Sequence, residues 1–190
     1  YRSNHDVLPD EKSISETGEL IGWSKVERKP GEVRLPLKGM ALDLGGFGKE
    51  YAVDKVAAVA VGNGINDCLV DFGRDIHALG QPPGYPAWHV ALENPENPGS
   101  IWGSMAAKHI GVATSGDYRR FFEHNGQRFG HILDPRSGRP VYNGILSVTV
   151  TANSCLEAGV LSNAVCVLGE EEGLKLVEGT FGAEGCIVMN

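Results

Sequence analysis

The sequence predicts an α+β fold, with mainly antiparallel mixed sheets and a few packed helices. Three observations point there. Short runs of alternating apolar residues follow one another with Gly, Pro or Asn turns between them. Only residues 45–64, 154–169 and 170–179 read as helices. Regular strand–helix–strand alternation is absent, which argues against a parallel sheet with crossover helices. The 190 residues are enough for a sizeable core, as one domain or a compact pair of lobes, and residues 1–190 are taken as one domain.

Residues 1–31 read as polar and irregular, with turns at "HDVLPDEKS" and "RKPGE". Residues 32–44, "EVRLPLKGMALDL", suggest two short strands around a Lys38-Gly39 turn. A glycine-rich opening, Gly45, Gly46 and Gly48, then leads into a helix ended by Gly62 and Gly64. "DCLVDFG" (67–73) and "DIHALG" (75–80) alternate as paired strands. "PPGYP" is a loop, "AWHVALENPENPGS" a strand and turn, and "HIGVATSG" (109–116) a buried strand ending in a small polar turn at Thr114, Ser115 and Gly116. Residues 119–133 read as a hairpin across His124-Asn125-Gly126. "ILSVTVTA" (145–152) is a strand. The helix 154–169 starts at a Ser154 cap and stops at Gly169; helix 170–179 and the strand "GCIVM" close the chain.

Apolar residues make up 42% and charged residues 22%, the balance of a soluble globular protein. The longest aliphatic run, Val56 to Val61, is too short to span a bilayer. A net charge of −7 argues against a general nucleic-acid binder, though backbone amides and a few local cations can still hold a polyphosphate. Cys68, Cys155, Cys166 and Cys186 have no CxxC spacing, and three lie in apolar stretches as core thiols. The chain begins at Tyr1 rather than Met, so any targeting segment is expected to lie outside it.

Four places have the residues for chemistry. In "LDLGGFGKEYAVD" a strand, a glycine cluster and a helix start can present N–H groups to a phosphate, with Lys49 as a cation. No Ser or Thr follows Lys49 and no third glycine completes GxGxxG, so a tight turn packed against a helix explains the cluster equally well. Thr114 to Gly116 can bind an anion or a ribose, or simply end a strand. In "GHILDPRSGRPV" (130–141), His131 sits three residues before Asp134-Pro135, either as a strand-end histidine whose ring meets a nearby carbonyl or as a catalytic group held by a rigid corner, and Asp134 can fold back as an Asx turn. On helix 154–169, Gly159 and Asn163 share a face, and a mid-helix glycine implies either close packing or room for a ligand.

Together these pieces resemble the ApbE-like flavin transferases (FAD:protein FMN transferases), in the family's order from about Val26 onward. "MALDLGGFGKEYAVD", "CLVDFGRDIHALG", "VATSGDYRRFFEHNGQRFGHILDPRSGRPV" and "VTVTANSCLEAGVLSNAVCVLGEEEGLKL" carry the likeness. It implies an enzyme using FAD and Mg²⁺ that moves FMN to a Ser or Thr hydroxyl of an acceptor flavoprotein and releases AMP. It also implies a periplasmic or extracytoplasmic, membrane-associated location. His131 then matches the histidine that helps activate the attacking hydroxyl, a task suited to an imidazole titrating near neutrality. Gly45, Gly46, Lys49, Arg74, Thr114, Ser115, Gly116 and Asp134 match the cofactor-binding positions. The Gly46 carbonyl and Asn163 match metal-ligand positions.

The chain departs from the family pattern at informative places. Gly159 and Asn163 stand where Asp and Thr usually ligate Mg²⁺, a hard ion that favours at least one carboxylate. Arg74 and Glu50 replace common glycines; Arg74 can either supply charge near the pyrophosphate or point to solvent, and Glu50 can supply a carboxylate from another direction. The family's N-terminal portion, which helps enclose flavin and adenine, is expected to lie outside these residues. The alternative to transfer is an FAD-binding module with weak or no activity, because the helix ligands are replaced.

Overall fold

The computed structural model describes residues 8–119, 121–124 and 127–190. In chain order they form α1 (Glu11–Gly18), β1 (Glu27–Lys29), β2 (Glu32–Arg34), α2 (Gly48–Gly62), β3 (Cys68–Asp71), β4 (Ile76–Leu79), β5 (Trp88–Glu93), β6 (Ile101–Ala107) and β7 (Ile110–Gly116). Then come β8 (Phe121–His124), β9 (Gln127–Gly130), β10 (Leu133–Asp134), β11 (Arg139–Pro140), β12 (Ile145–Ala152), α3 (Cys155–Leu168), α4 (Glu170–Glu178) and β13 (Glu184–Met189). Every strand pair among the described residues is antiparallel, so the α+β expectation holds.

These elements gather into two compact units. The first comprises the described residues of 1–43 and 120–141. Its helix α1 lies inside the segment read as irregular. Asp10 caps it, Oδ1 accepting the Ser13 N–H at 2.8 Å, but α1 buries no residue, so no apolar period marks it. The β1–β2 hairpin turns at Gly31, whose φ of 74° suits glycine. The second strand expected in 32–44 does not form: β2 ends at Arg34, Pro36 lacks a ladder N–H, and residues 40–44 pair with no described strand. The β8–β9 hairpin forms as read, with Asn125 and Gly126 of its turn outside the described residues.

The second unit, Leu44–Arg119 with Tyr142–Asn190, is built on a five-stranded sheet of order β13-β12-β7-β4-β3. Its central strands are covered on both faces. Val148 and Val150 of β12 and Ala113 of β7 are buried on one face, and Val112 of β7, paired with the buried Thr151, on the other. Helix α3 lies against β7 and β12. Val53 and Ala57 of α2, Val70 of β3 and Cys155 of α3 form one core cluster; Ile76, Ala78, Val90, Ala107 and Val112 form another, under the β5–β6 hairpin. Gly111 sets how closely α3 approaches. A Cβ there would lie 2.1 Å from the Cys155 backbone nitrogen, which no relaxation accommodates. Strand β7 also corrects an expectation. Thr114, Ser115 and Gly116 are not a turn beyond the strand but its last three residues, paired with Thr149, Val148 and Ser147 of β12.

Among the described residues all four cysteines are free. Burial pushes the Cys166 thiol up to about 12 and raises that of Cys155 as well, so both are inert core groups, as read.

Candidate functional site

The second unit carries the expected glycine bend. Residues 45–47 turn just before α2, with the Phe47 and Gly48 N–H groups donating to the Leu44 carbonyl at 3.2 and 2.7 Å. Helix α2 begins without a side-chain cap. At Gly46 the backbone is open: an added Cβ would meet nothing within 4 Å. Asn163 of α3 reaches this bend, and its Nδ2 donates to the Gly46 carbonyl at 2.9 Å. The two positions expected to ligate metal therefore lie together, joined by a hydrogen bond.

Behind Asn163 stands a small hydroxyl cluster. Ser115 Oγ donates to Asn163 Oδ1 at 3.0 Å and lies 2.8 Å from Ser162 Oγ. Ser162 is fully buried and reaches the Gly159 carbonyl at 3.1 Å. Thr114 points elsewhere, its hydroxyl 2.9 Å from that of Thr149 across the ladder. Gly116 is small for a packing reason, since a Cβ would fall 2.6 Å from the Leu146 carbonyl.

Glu50 and Gly159 meet. A Cβ on Gly159 would lie 2.6 Å from Glu50 Cγ and 3.2 Å from its Oε1, so the Glu50 side chain fills the space over the helix glycine. Glu50 is 6% exposed, and its Oε2 is buried without a hydrogen-bond partner. Burial raises its carboxyl above the ordinary range; its own backbone N–H and Lys49 oppose that, and repulsion from Asp75 adds to it. Asp75, 3% exposed, forms an ion pair with Lys49, and burial raises its carboxyl too. Lys49 also donates to the Gly73 carbonyl at 3.4 Å.

Arg74 occupies the tight turn between β3 and β4. Gly73 and Arg74 have φ of 63° and 80°, the pattern of a type I′ hairpin turn, and this is why glycine is at home at position 74. The Arg74 N–H donates to Asp71 Oδ1 at 2.7 Å, and its guanidinium pairs with Glu93. Glu93 also pairs with Arg119 and accepts from Tyr118 Oη at 2.9 Å and from the Gly99 N–H at 2.8 Å. Arg119 foremost, then Arg74 and Tyr118, hold its carboxyl far below the usual range despite the desolvation that opposes them. Both expected phosphate cations, Lys49 and Arg74, are thus paired with carboxylates.

His131 and Asp134 belong to the first unit. His131 lies between β9 and β10 and is half-buried. The corner after it is closely tied. Asp134 Oδ1 accepts the Arg136 N–H at 2.8 Å, while Arg136 Nε and Nη2 bind the same carboxylate at 2.8 and 2.7 Å. The Gly138 N–H donates to the Asp134 carbonyl at 2.8 Å, and the Val141 N–H to Ile132 at 3.0 Å. Arg139 pairs with Glu11 of α1, and Gly138 leaves room for Ile14. The Asx turn is present, and the Asp134 carboxylate serves the turn.

Sequence reasoning missed Asp54. Its Oδ1 accepts the Cys155 N–H at 2.9 Å, its Oδ2 the Leu156 N–H at 2.9 Å, and His77 Nδ1 lies 2.7 Å from Oδ1. A carboxylate on α2 thus joins Ser154 in capping α3. The signal was present: Asp54 lies one turn after Glu50, on the face that buries Val53 and Ala57. Glu93 carried no comparable mark.

The antiparallel sheet, with α3 and α4 beside it and a glycine bend held to α3, has solved counterparts. The Vibrio cholerae flavin transferase ApbE superposes over 98% of this chain and 59% of its own, with a TM-score of 0.87 at 28% identity. The Thermotoga maritima ApbE protein does so over 96% and 60%, with a TM-score of 0.86 at 31% identity. The chain belongs to the ApbE family, whose model matches residues 1–187. It is 32% identical over 174 residues to the FAD:protein FMN transferase of Vibrio cholerae, covering 91% of this chain and 52% of that one. With the Treponema pallidum FAD:protein FMN transferase it is 32% identical over 199 residues, covering 96% and 55%. The chain spans about half the length of these curated relatives.

Proposed function

We propose that this protein is an FAD:protein FMN transferase, moving FMN from FAD to a Ser or Thr hydroxyl of an acceptor flavoprotein with release of AMP. The observation that carries the reading is the family match along residues 1–187, joined to relatives named for that activity. Two features of this chain support it. The open backbone at Gly46 before an uncapped α2 suits a pyrophosphate. His131 precedes a corner stiffened by Asp134 and Arg136, which suits a ring that must hold one orientation.

In this mechanism the acceptor hydroxyl oxygen attacks the flavin-side phosphorus, the bond to the bridging oxygen breaks, and AMP departs. His131 takes the hydroxyl proton. Mg²⁺, when bound, neutralises phosphate charge. The Gly46–Asn163 pair alone fits that ion poorly, because an N–H donor faces the carbonyl. The buried, unpartnered oxygen of Glu50 beside Gly159 is the group here that suits it. On the family reading we place the reaction outside the cytoplasm at a membrane surface; no described helix is long and apolar enough to cross one.

The test mixes the full-length protein with FAD, Mg²⁺ and an acceptor carrying a flavinylation threonine, then looks for in-gel flavin fluorescence after denaturation. A covalent band supports transfer, and it should vanish in His131→Ala while FAD binding persists. Saturable FAD binding without a band supports the binding module and refutes transfer.

A further inference from the structure

We propose that Glu50 is the carboxylate ligand of a divalent-cation site, reaching from α2 into the space that Gly159 leaves open on α3. The proposal rests on the transferase reading only for the identity of the ion as Mg²⁺. Three observations carry it. The fit between the two residues is steric: any side chain at 159 would collide with Glu50 Cγ, so the carboxylate stands where a residue-159 side chain would otherwise project. Glu50 is more than nine-tenths buried, and its Oε2 has no hydrogen-bond partner, an arrangement that costs free energy unless a cation or a proton compensates it. With both carboxyls ionised the local charge is unbalanced: Glu50 and Asp75 are both buried, and Lys49, the ammonium that acts on them among the described residues, pairs with Asp75.

The neighbours suit a hard ion. The Gly46 carbonyl lies just before α2 on the same chain segment as Glu50, and Asn163 lies one helical turn beyond Gly159. Asn163 now donates its Nδ2 to Gly46; turning the amide over would present Oδ1 instead. A carboxylate, a main-chain carbonyl and an amide oxygen, completed by water and substrate phosphate, make up an ordinary magnesium ligand set.

The experiment titrates Mn²⁺, as a paramagnetic substitute for Mg²⁺, into the full chain with and without FAD, and follows the free-Mn²⁺ signal by electron paramagnetic resonance. The parent should bind Mn²⁺. Glu50→Gln should weaken binding at least about tenfold, and Gly159→Ala, which pushes Glu50 aside while keeping its charge, should weaken it comparably. The exchange Glu50→Gly with Gly159→Asp should restore it. Circular dichroism and the thermal midpoint check folding; if Glu50→Gln does not fold, Glu50→Asp and Gly159→Ala decide. Parental Mn²⁺ affinity in Glu50→Gln, or no Mn²⁺ binding by the parent with or without FAD, overturns the proposal and leaves a carboxyl pair sharing a proton. Mn²⁺ binding that depends on Glu50 with no flavinylated acceptor would uphold the site and sink the transferase reading instead.

Discussion

Removing the Asp54 carboxylate tests whether α2 holds the start of α3. Asp54 accepts the Cys155 and Leu156 N–H groups and faces His77 Nδ1, and Cys155 is fully buried. Hydrogen bonds to a charged acceptor contribute about 1.5–3 kcal/mol each, and an anion at a helix N-terminus about 0.3–1 kcal/mol. These contributions share one side chain, a fifth of which is exposed, and Ser154 still caps the helix, so they do not sum in full. Asp54→Ala should therefore cost about 3 kcal/mol. For a chain of this size that is a fall in Tm of roughly 6–12 °C. Asp54→Asn keeps one acceptor oxygen but turns an amide N–H toward the second donor, so it should lose about half as much. Differential scanning calorimetry at pH 7 measures both. A fall below about 2 °C for Asp54→Ala would refute the reasoning, because the two N–H groups would then be satisfied without the carboxylate. If the proposed function holds, FAD binding should weaken in parallel, since α3 carries Gly159 and Asn163.

Gly111→Ala should abolish soluble folded protein, because its Cβ would meet the main chain of Ser154 and Cys155 rather than a flexible side chain; expression yield and circular dichroism report it. Arg74→Gly should leave Tm nearly unchanged, as relief of a positive φ offsets the lost Glu93 pair, whereas Arg74→Val should lower it by calorimetry. Glu93 has its folded value depressed, so its stabilisation is full above the unfolded value near 4.5 and is lost as pH falls through the folded one. The urea midpoints of parent and Glu93→Gln should differ most at neutral pH and converge as pH falls toward 2.

What the sequence revealed follows where burial leaves a period. Strands β3 and β4 alternate because one face meets the core, β12 alternates Val with Thr although Thr151 is buried as well, and α3 showed both ends through Ser154 and Gly169. Helix α1 buries nothing, and β10 and β11 are two residues each, so no period could mark them. The end of β7 misled for a different reason. Its serine and threonine looked like a solvent turn, yet Ser115 points at Ser162 and Asn163, and Thr114 at Thr149. At the site, the oddity of Glu50 and that of Gly159 were each visible alone. That one fills the other's space is a contact between distant segments, which no local pattern encodes. The same holds for Glu93, whose importance lies in gathering Arg74, Arg119 and Tyr118 from elsewhere in the chain.

The hydroxyl cluster behind Asn163 has more places for hydrogen than hydrogens to fill them. Ser115 and Ser162 own one each, against three close oxygen contacts: Ser115 with Ser162, Ser115 with Asn163, and Ser162 with the Gly159 carbonyl. When Ser115 serves Asn163, the amide is held at both ends, its oxygen by Ser115 and its nitrogen by the Gly46 carbonyl. A turn of Ser115 toward Ser162 would leave the amide fastened by its Gly46 bond alone, so one hydroxyl proton governs how firmly Asn163 is tied to the bend.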